Sequence, residues 1–144
     1  MKTETHFHKE LEELKENLLK MAAMVEEAIR ESVQSLVKRD SDLAQKVFEG
    51  EDRINKMEIT IDDMCLRLLA LRQPMAVDLR FITSAMKIVT DLERMGYQAV
   101  NIAERAISLN QEPLLKPYID IPRMAEIAQS MVKDVLDAFV TRNS

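Results

Sequence analysis

Arg72-Gln73-Pro74-Met75-Ala76-Val77-Asp78-Leu79-Arg80 separates two long runs of helical periodicity, and the reading of this break decides the fold. Pro74 has no amide hydrogen to give to a helix and disfavours helical backbone in the residue before it, so one helix ends here and another begins. Upstream, Leu43, Val47, Gly50, Ile54, Met57, Ile61, Met64, Leu68 and Leu71 recur in steps of four and three. Downstream, Phe81, Ala85, Ile88, Leu92, Met95, Ala99, Ile102, Ala106 and Leu109 do the same. A third stripe precedes both, through Phe7, Leu11, Leu14, Leu18, Met21, Val25, Ala28, Val33 and Leu36. Such spacing places each set on one side of a helix. The remaining break falls at Asp40-Ser41, where Ser41 is expected to cap the second helix. Short links make antiparallel neighbours, so the expected fold is an all-α, antiparallel, up-down-up three-helix bundle of the spectrin-repeat kind.

Composition narrows the class. The chain has 144 residues, 47% hydrophobic and 31% charged, enough for one domain with a genuine core. The formal net charge of −5 argues against nucleic-acid binding, which needs a basic face. No apolar run approaches the roughly 18–20 residues of a membrane span. The polar start, Met1-Lys2-Thr3-Glu4-Thr5-His6, does not read as a signal peptide, and the lone cysteine, Cys65, has no internal disulfide partner. A cytoplasmic protein is expected, with Cys65 as a small core residue in preference to a reactive thiol.

The composition changes after the third helix. Residues 1–110 form the expected bundle, and 111–121 read as a linker containing Pro113 and Pro117. A fourth helix is expected over 122–144, opened by Pro122 and carrying Met124, Ile127, Met131, Val135 and Phe139. An offset that brings Met21-Ala22 onto Met124-Ala125 also brings Val37 onto Val140 and Arg39 onto Arg142, and sets Lys133-Asp134 against Arg30-Glu31. The fourth helix therefore reads as the first helix of an incomplete second repeat, which must bury its stripe on its own bundle or on another copy.

The Arg72–Arg80 stretch, followed by Asp91-Leu92-Glu93-Arg94-Met95-Gly96 and Asn101-Ile102-Ala103-Glu104, resembles the signature of the PhoU family. Gly50-Glu51-Asp52-Arg53-Ile54-Asn55 extends the resemblance over nearly the whole chain. The resemblance implies tandem three-helix bundles, here with the second apparently truncated. It also implies a cytoplasmic, non-enzymatic negative regulator of phosphate uptake and phosphate-starvation signalling. The implied partners are the ATPase of a phosphate ABC transporter and a sensor histidine kinase, with the protein peripheral to those membrane complexes and not inserted in the bilayer. The alternative is a helical scaffold or dimerisation module that keeps the fold without the signalling role. A homodimer is expected in either case.

The resemblance further implies metal binding by acids spaced four apart, as in Glu58 and Asp62. Residues at that spacing are neighbours on a helix and can share a hard cation. The candidate ligands for Fe, Mn, Mg or Zn are Glu51, Asp52, Glu58, Asp62 and Glu93. Glu51, Asn55, Glu58 and Asp62 are expected on one outward stripe, opposite the apolar seam. Tyr97 stands where the family pattern has an acid to pair with Glu93, and its phenol is a poor ligand for Mg²⁺ or Mn²⁺ at neutral pH. The alternative for all these acids is a solvated helix face. Met86, Glu93, Tyr97, Val100 and Ile107 are expected on the outer face of the third helix, and Arg80, Arg94, Tyr97 and Val100 are the candidate partner-binding residues. Asp78 and Arg80 can equally lock the start of that helix, since an acid in the first turn suits its dipole. The sequence has no Gly-rich phosphate loop, and neither His6 nor His8 has a glutamate three residues before it, as a di-iron bundle requires.

Overall fold

The computed structural model describes residues 2–72 and 74–113, together with Glu126, Gln129, Ser130, Lys133, Asp134 and Asp137 beyond them. Three helices run α1 Lys2–Val37, α2 Ser41–Arg72 and α3 Ala76–Leu109, and every pair of them is in contact. None is long and apolar enough to cross a membrane. The expected linker and fourth helix fall largely outside the described residues; those that are described between Glu126 and Asp137 are helical.

The core follows a heptad on each helix. On α1 it runs Leu14, Leu18, Met21, Val25, Ala28, Ser32 and Ser35, all buried. The apolar pattern alone passes over the two serines in favour of Val33 and Leu36, which are buried beside them. The serines are tolerated because each hydroxyl donates back to the helix, Ser32 to the Ile29 carbonyl at 2.8 Å and Ser35 to that of Ser32 at 2.6 Å. On α3 the deepest line is Ile82, Ala85, Val89, Leu92, Gly96, Ala99, Ala103 and Ala106, with Phe81, Ile88 and Val100 buried along its flanks. Each helix touches two neighbours, so the buried arc is wider than a single stripe. Val100 therefore lies in the core and not on the outer face, and Met86 and Ile107 pack against that core.

Core side chains shrink towards the pole that holds the α1–α2 turn. Leu11, Leu14, Leu18, Leu68, Phe81 and Ile82 lie in one half, whereas Ala28, Ser32, Ser35, Ala44, Ala99, Ala103 and Ala106 lie in the other beside the larger Val33, Leu36 and Val47. Gly96 marks the passage between them, and a methyl group there would meet Ile54 at 3.5 Å and Val25 at 3.9 Å, ordinary van der Waals separations.

The small-residue pole is closed by one turn. Arg39 adopts φ 55, the left-handed conformation, and α1 ends in a Schellman arrangement: the Asp40 amide donates to the Ser35 carbonyl at 2.9 Å and the Arg39 amide to that of Leu36 at 3.4 Å. Asp40, not Ser41, then caps α2, its carboxylate accepting from the amides of Asp42 (3.1 Å) and Leu43 (3.2 Å). Asp40 has the longer acceptor arm at the last non-helical position, and Ser41 is already inside the helix, accepting from the Asn110 side chain at 3.2 Å. The Arg39 guanidinium crosses to the end of α3 and donates to the carbonyls of Leu109 and Asn110, both at 3.2 Å, and to that of Glu112. A cation thus satisfies carbonyls that have no partner within their own helix.

Two outcomes follow in chemical denaturation. Gly96→Ala should stabilise the fold by about 0.5–1 kcal/mol, because alanine improves helix propensity and the added methyl meets no clash; a loss of stability would contradict the packing around Ile54. Arg39→Ala should cost about 1–3 kcal/mol, since it keeps a side chain in the left-handed conformation and uncaps α3.

Candidate functional site

The α2 heptad that buries Val47, Ile54, Ile61, Cys65 and Leu68 passes through Glu51 and Glu58. These two acids occupy core-type positions and are half-buried, so the stripe through Glu51 and Glu58 does not face outward. The reason is register: the deepest line runs through Ile61 and Cys65, not through Met57 and Met64, which lie at the core's margin.

Glu58 meets Glu93 across the α2–α3 interface. Partial burial, a hydrogen bond to Glu93, and the negative charges of Glu93 and Asp62 together push the Glu58 carboxyl up to about 7. Protonation of Glu58 removes one of two like charges held close together and lets its carboxyl donate to Glu93. Asp62, one helical turn on, is raised by burial and by Glu93. Cys65, a further turn along, is buried and pushed up to about 11 by burial and by Asp62, so it remains a thiol in the core.

The remaining candidate ligands do not join this cluster. Glu51 lies two helical turns, roughly 10 Å, from Glu58, and Asp52 is exposed. Among the described residues no three His, Cys, Asp or Glu side chains are arranged to hold a metal ion. Glu58, Asp62 and Glu93 face one another across α2 and α3, whereas Glu51 and Asp52 stand apart from them.

The candidate partner residues divide as well. Arg80, Arg94 and Tyr97 lie on the surface, Tyr97 exposed by 61%, while Val100 belongs to the core. The α2–α3 corner, where the sequence offers Pro74 as a helix break and Arg80 as a partner contact, also carries an exposed apolar surface. Met75 is 79% exposed, Val77 73%, and Leu79 is exposed beside them. Met75 occupies the N-cap position of α3 without a side-chain cap, and Asp78 lies in the first turn. The signal was available: Val77 and Leu79 fall outside the heptad line through Ile82, Ala85 and Val89.

The fold places the chain among proteins built on bundles of three long helices. The chain belongs to the PhoU family, whose model, described as PhoU domain, matches residues 18–106. A relative from Aquifex aeolicus (strain VF5), named a phosphate-specific transport system accessory protein PhoU homolog, is 49% identical over 136 residues, covering 94% of this chain and 62% of the relative. A protein of the same name from Pseudomonas putida is 46% identical over 134 residues, 92% of this chain and 52% of its own length. The crystal structure of PhoU from Pseudomonas aeruginosa superposes with a TM-score of 0.89 at 44% identity, covering 94% of this chain and 65% of that one. The phosphate transport system regulatory protein PhoU from Streptococcus pneumoniae gives 0.82 at 32% identity, with 94% and 63% coverage. This chain thus spans between about half and two thirds of the length of these relatives.

The raised Glu58 carboxyl makes stability depend on pH with a definite sign. Between the ordinary value of 4.5 and about 7 the folded protein holds a proton that the unfolded chain has released. Stability therefore falls as pH rises through that window. Thermal or urea unfolding should show a loss of about 1–2 kcal/mol from Glu58 between pH 5 and 8, the upper limit set by solvent screening of a part-exposed group. Glu58→Gln, which keeps a donor for Glu93, should flatten that slope; an unchanged slope would place the titration elsewhere.

Proposed function

We propose that this chain is a non-catalytic accessory regulator of phosphate transport that keeps phosphate-starvation signalling off by contact with other proteins. Family membership and the names of its relatives support the phosphate role. The observation that carries contact as the means is the Met75–Arg80 corner. It holds the stretch by which the chain resembles its family, and it exposes Met75, Val77 and Leu79 next to the exposed Arg80. Large apolar side chains grouped at a helix corner contribute little to the bundle, and apolar groups rimmed by charge are suited to docking.

In this reading the partners are the ATPase of the phosphate ABC transporter and a sensor histidine kinase, reached from the cytoplasmic side without insertion in the membrane. The corner supplies the apolar anchor, and Arg80, with the exposed Arg94 and Tyr97 further along α3, supplies polar and aromatic contacts. Glu58 and Glu93 face each other between α2 and α3, and protonation of Glu58 relieves the repulsion between them.

The test is genetic and uses the 144 residues as they stand. Deleting the gene should raise alkaline phosphatase activity in phosphate-rich medium, and re-expression should lower it again. Met75→Glu combined with Val77→Glu should fail to restore repression while changing stability by no more than about 0.5 kcal/mol, as expected at exposed positions. Unchanged phosphatase activity on deletion would sink the signalling role and leave the scaffold reading in its place.

A further inference from the structure

The chain carries ten methionines and one cysteine, the side chains that peroxides oxidise. Packing protects all but one of those the structure describes. Cys65 is buried and holds its proton, so it offers no thiolate. Met21 is fully buried, and Met24, Met57, Met64, Met86 and Met95 are packed against the core. The Met64 sulfur also accepts a hydrogen bond from the Asn17 side-chain amide at 3.1 Å, which occupies one of its lone pairs. Met75 alone among the described methionines is exposed, by 79%. It stands at the N-cap of α3 and makes no capping hydrogen bond through its side chain, although a short oxygen-bearing side chain is favoured at that position. Its backbone holds the helix start instead, the carbonyl accepting from the Leu79 amide at 2.8 Å. What the thioether adds is surface, shared with the exposed Val77, Leu79 and Arg80.

We propose that Met75 is a site of reversible oxidation by hydroperoxides, and that its sulfoxide weakens the docking of the Met75–Arg80 corner, a consequence that rests on the docking role of that corner. The Met75 sulfur attacks one peroxide oxygen. The S–O bond forms as the O–O bond breaks, the sulfur is oxidised by two electrons, and the leaving hydroxide or alkoxide takes the proton from the transferred oxygen to become water or an alcohol. Return needs a thiol-dependent methionine sulfoxide reductase, in which two thiols become a disulfide and the oxygen leaves as water. The same change in a core methionine would disrupt packing. At Met75 it leaves the bundle folded, because the side chain packs against nothing that the fold needs. The corner loses the most exposed of its three apolar side chains and presents a polar group in its place. That group is an acceptor beside the first-turn amides of α3, for which the thioether provides no cap. The oxidised helix start is therefore held at least as well as before, while the surface offered to a partner is changed.

The full chain is treated with hydrogen peroxide, and the oxygen gained at each methionine is followed by mass spectrometry of its peptides. Met75 is expected to oxidise about tenfold faster than Met21, Met57 or Met64, with circular dichroism unchanged, and to be restored by a sulfoxide reductase with dithiothreitol. Oxidation of Met75 no faster than of those shielded methionines would overturn the site. In cells deleted for the gene, the unmodified chain, Met75→Leu and Met75→Gln are re-expressed, and alkaline phosphatase is assayed in phosphate-rich medium before and after a sublethal peroxide pulse. Glutamine is a polar mimic of the sulfoxide, and leucine is an apolar side chain that cannot be oxidised. The unmodified chain is expected to lose repression after the pulse and to regain it as the sulfoxide is reduced. Met75→Gln is expected to repress poorly without peroxide, and the ratio of activities before and after the pulse is expected to stay constant for Met75→Leu. An equal peroxide response from the unmodified chain and Met75→Leu would overturn the effect on docking, as would full repression by Met75→Gln. Absence of repression by the unmodified chain before the pulse would overturn the docking role and the effect on it together, while the peptide masses still decide whether Met75 is the oxidation site.

Discussion

The packing of three helices around a shared axis, each burying an arc that serves two neighbours, is the constraint on which the rest depends. It requires a heptad that holds over about nine turns per helix, and it accepts only side chains that fill the interior without leaving polar atoms unpaired. Ser32 and Ser35 meet that condition by bonding to their own helix. Glu58 meets it differently, by a carboxyl whose affinity for a proton is raised by burial and by Glu93. Its position is the one at which the heptad admits an ionisable group opposite another of like charge. The same packing rule that builds the core therefore builds the titrating site.

The general architecture was legible because periodicity over thirty or so residues leaves little freedom. Pro74 marked the second turn, and the helices begin and end close to the breaks at Asp40-Ser41 and Arg72–Arg80. Register within each helix was less legible. Methionine sits equally well in a core and at its edge, so Met57 and Met64 drew the α2 line towards the margin and away from Cys65. A shift of one position turns Glu58 from a surface acid into an interfacial one and moves Val100 from the outer face into the core. The turn chemistry was also hidden, since no local pattern announces that an arginine will adopt the left-handed conformation and reach a helix end some seventy residues away.

The site divides in the same manner. Glu58, Asp62 and Glu93 are candidates through the family resemblance, and folding brings them together, yet spacing along one helix does not report the distance between two. Glu51 and Asp52 share the composition of that group without its geometry. The corner at Met75, Val77 and Leu79 shows the opposite case, in which residues known only as part of a motif acquire meaning from their exposure. Core positions are constrained by packing and read as periodicity; surface positions are constrained by partners and leave no period to read.

The Arg39 clasp has a consequence for how the bundle opens. A single guanidinium links the α1–α2 turn to the last carbonyls of α3, and Asn110 returns the connection to Ser41. That pole cannot fray one helix at a time: releasing the end of α3 also frees the turn that caps α2. At the opposite pole α3 starts after Met75, which gives it no side-chain cap. Amide exchange with solvent should thus be graded along the molecule, fast and helix by helix near Pro74, slow and collective near Arg39. The exposed corner sits at the uncapped end of the bundle, and the clasp sits at the other.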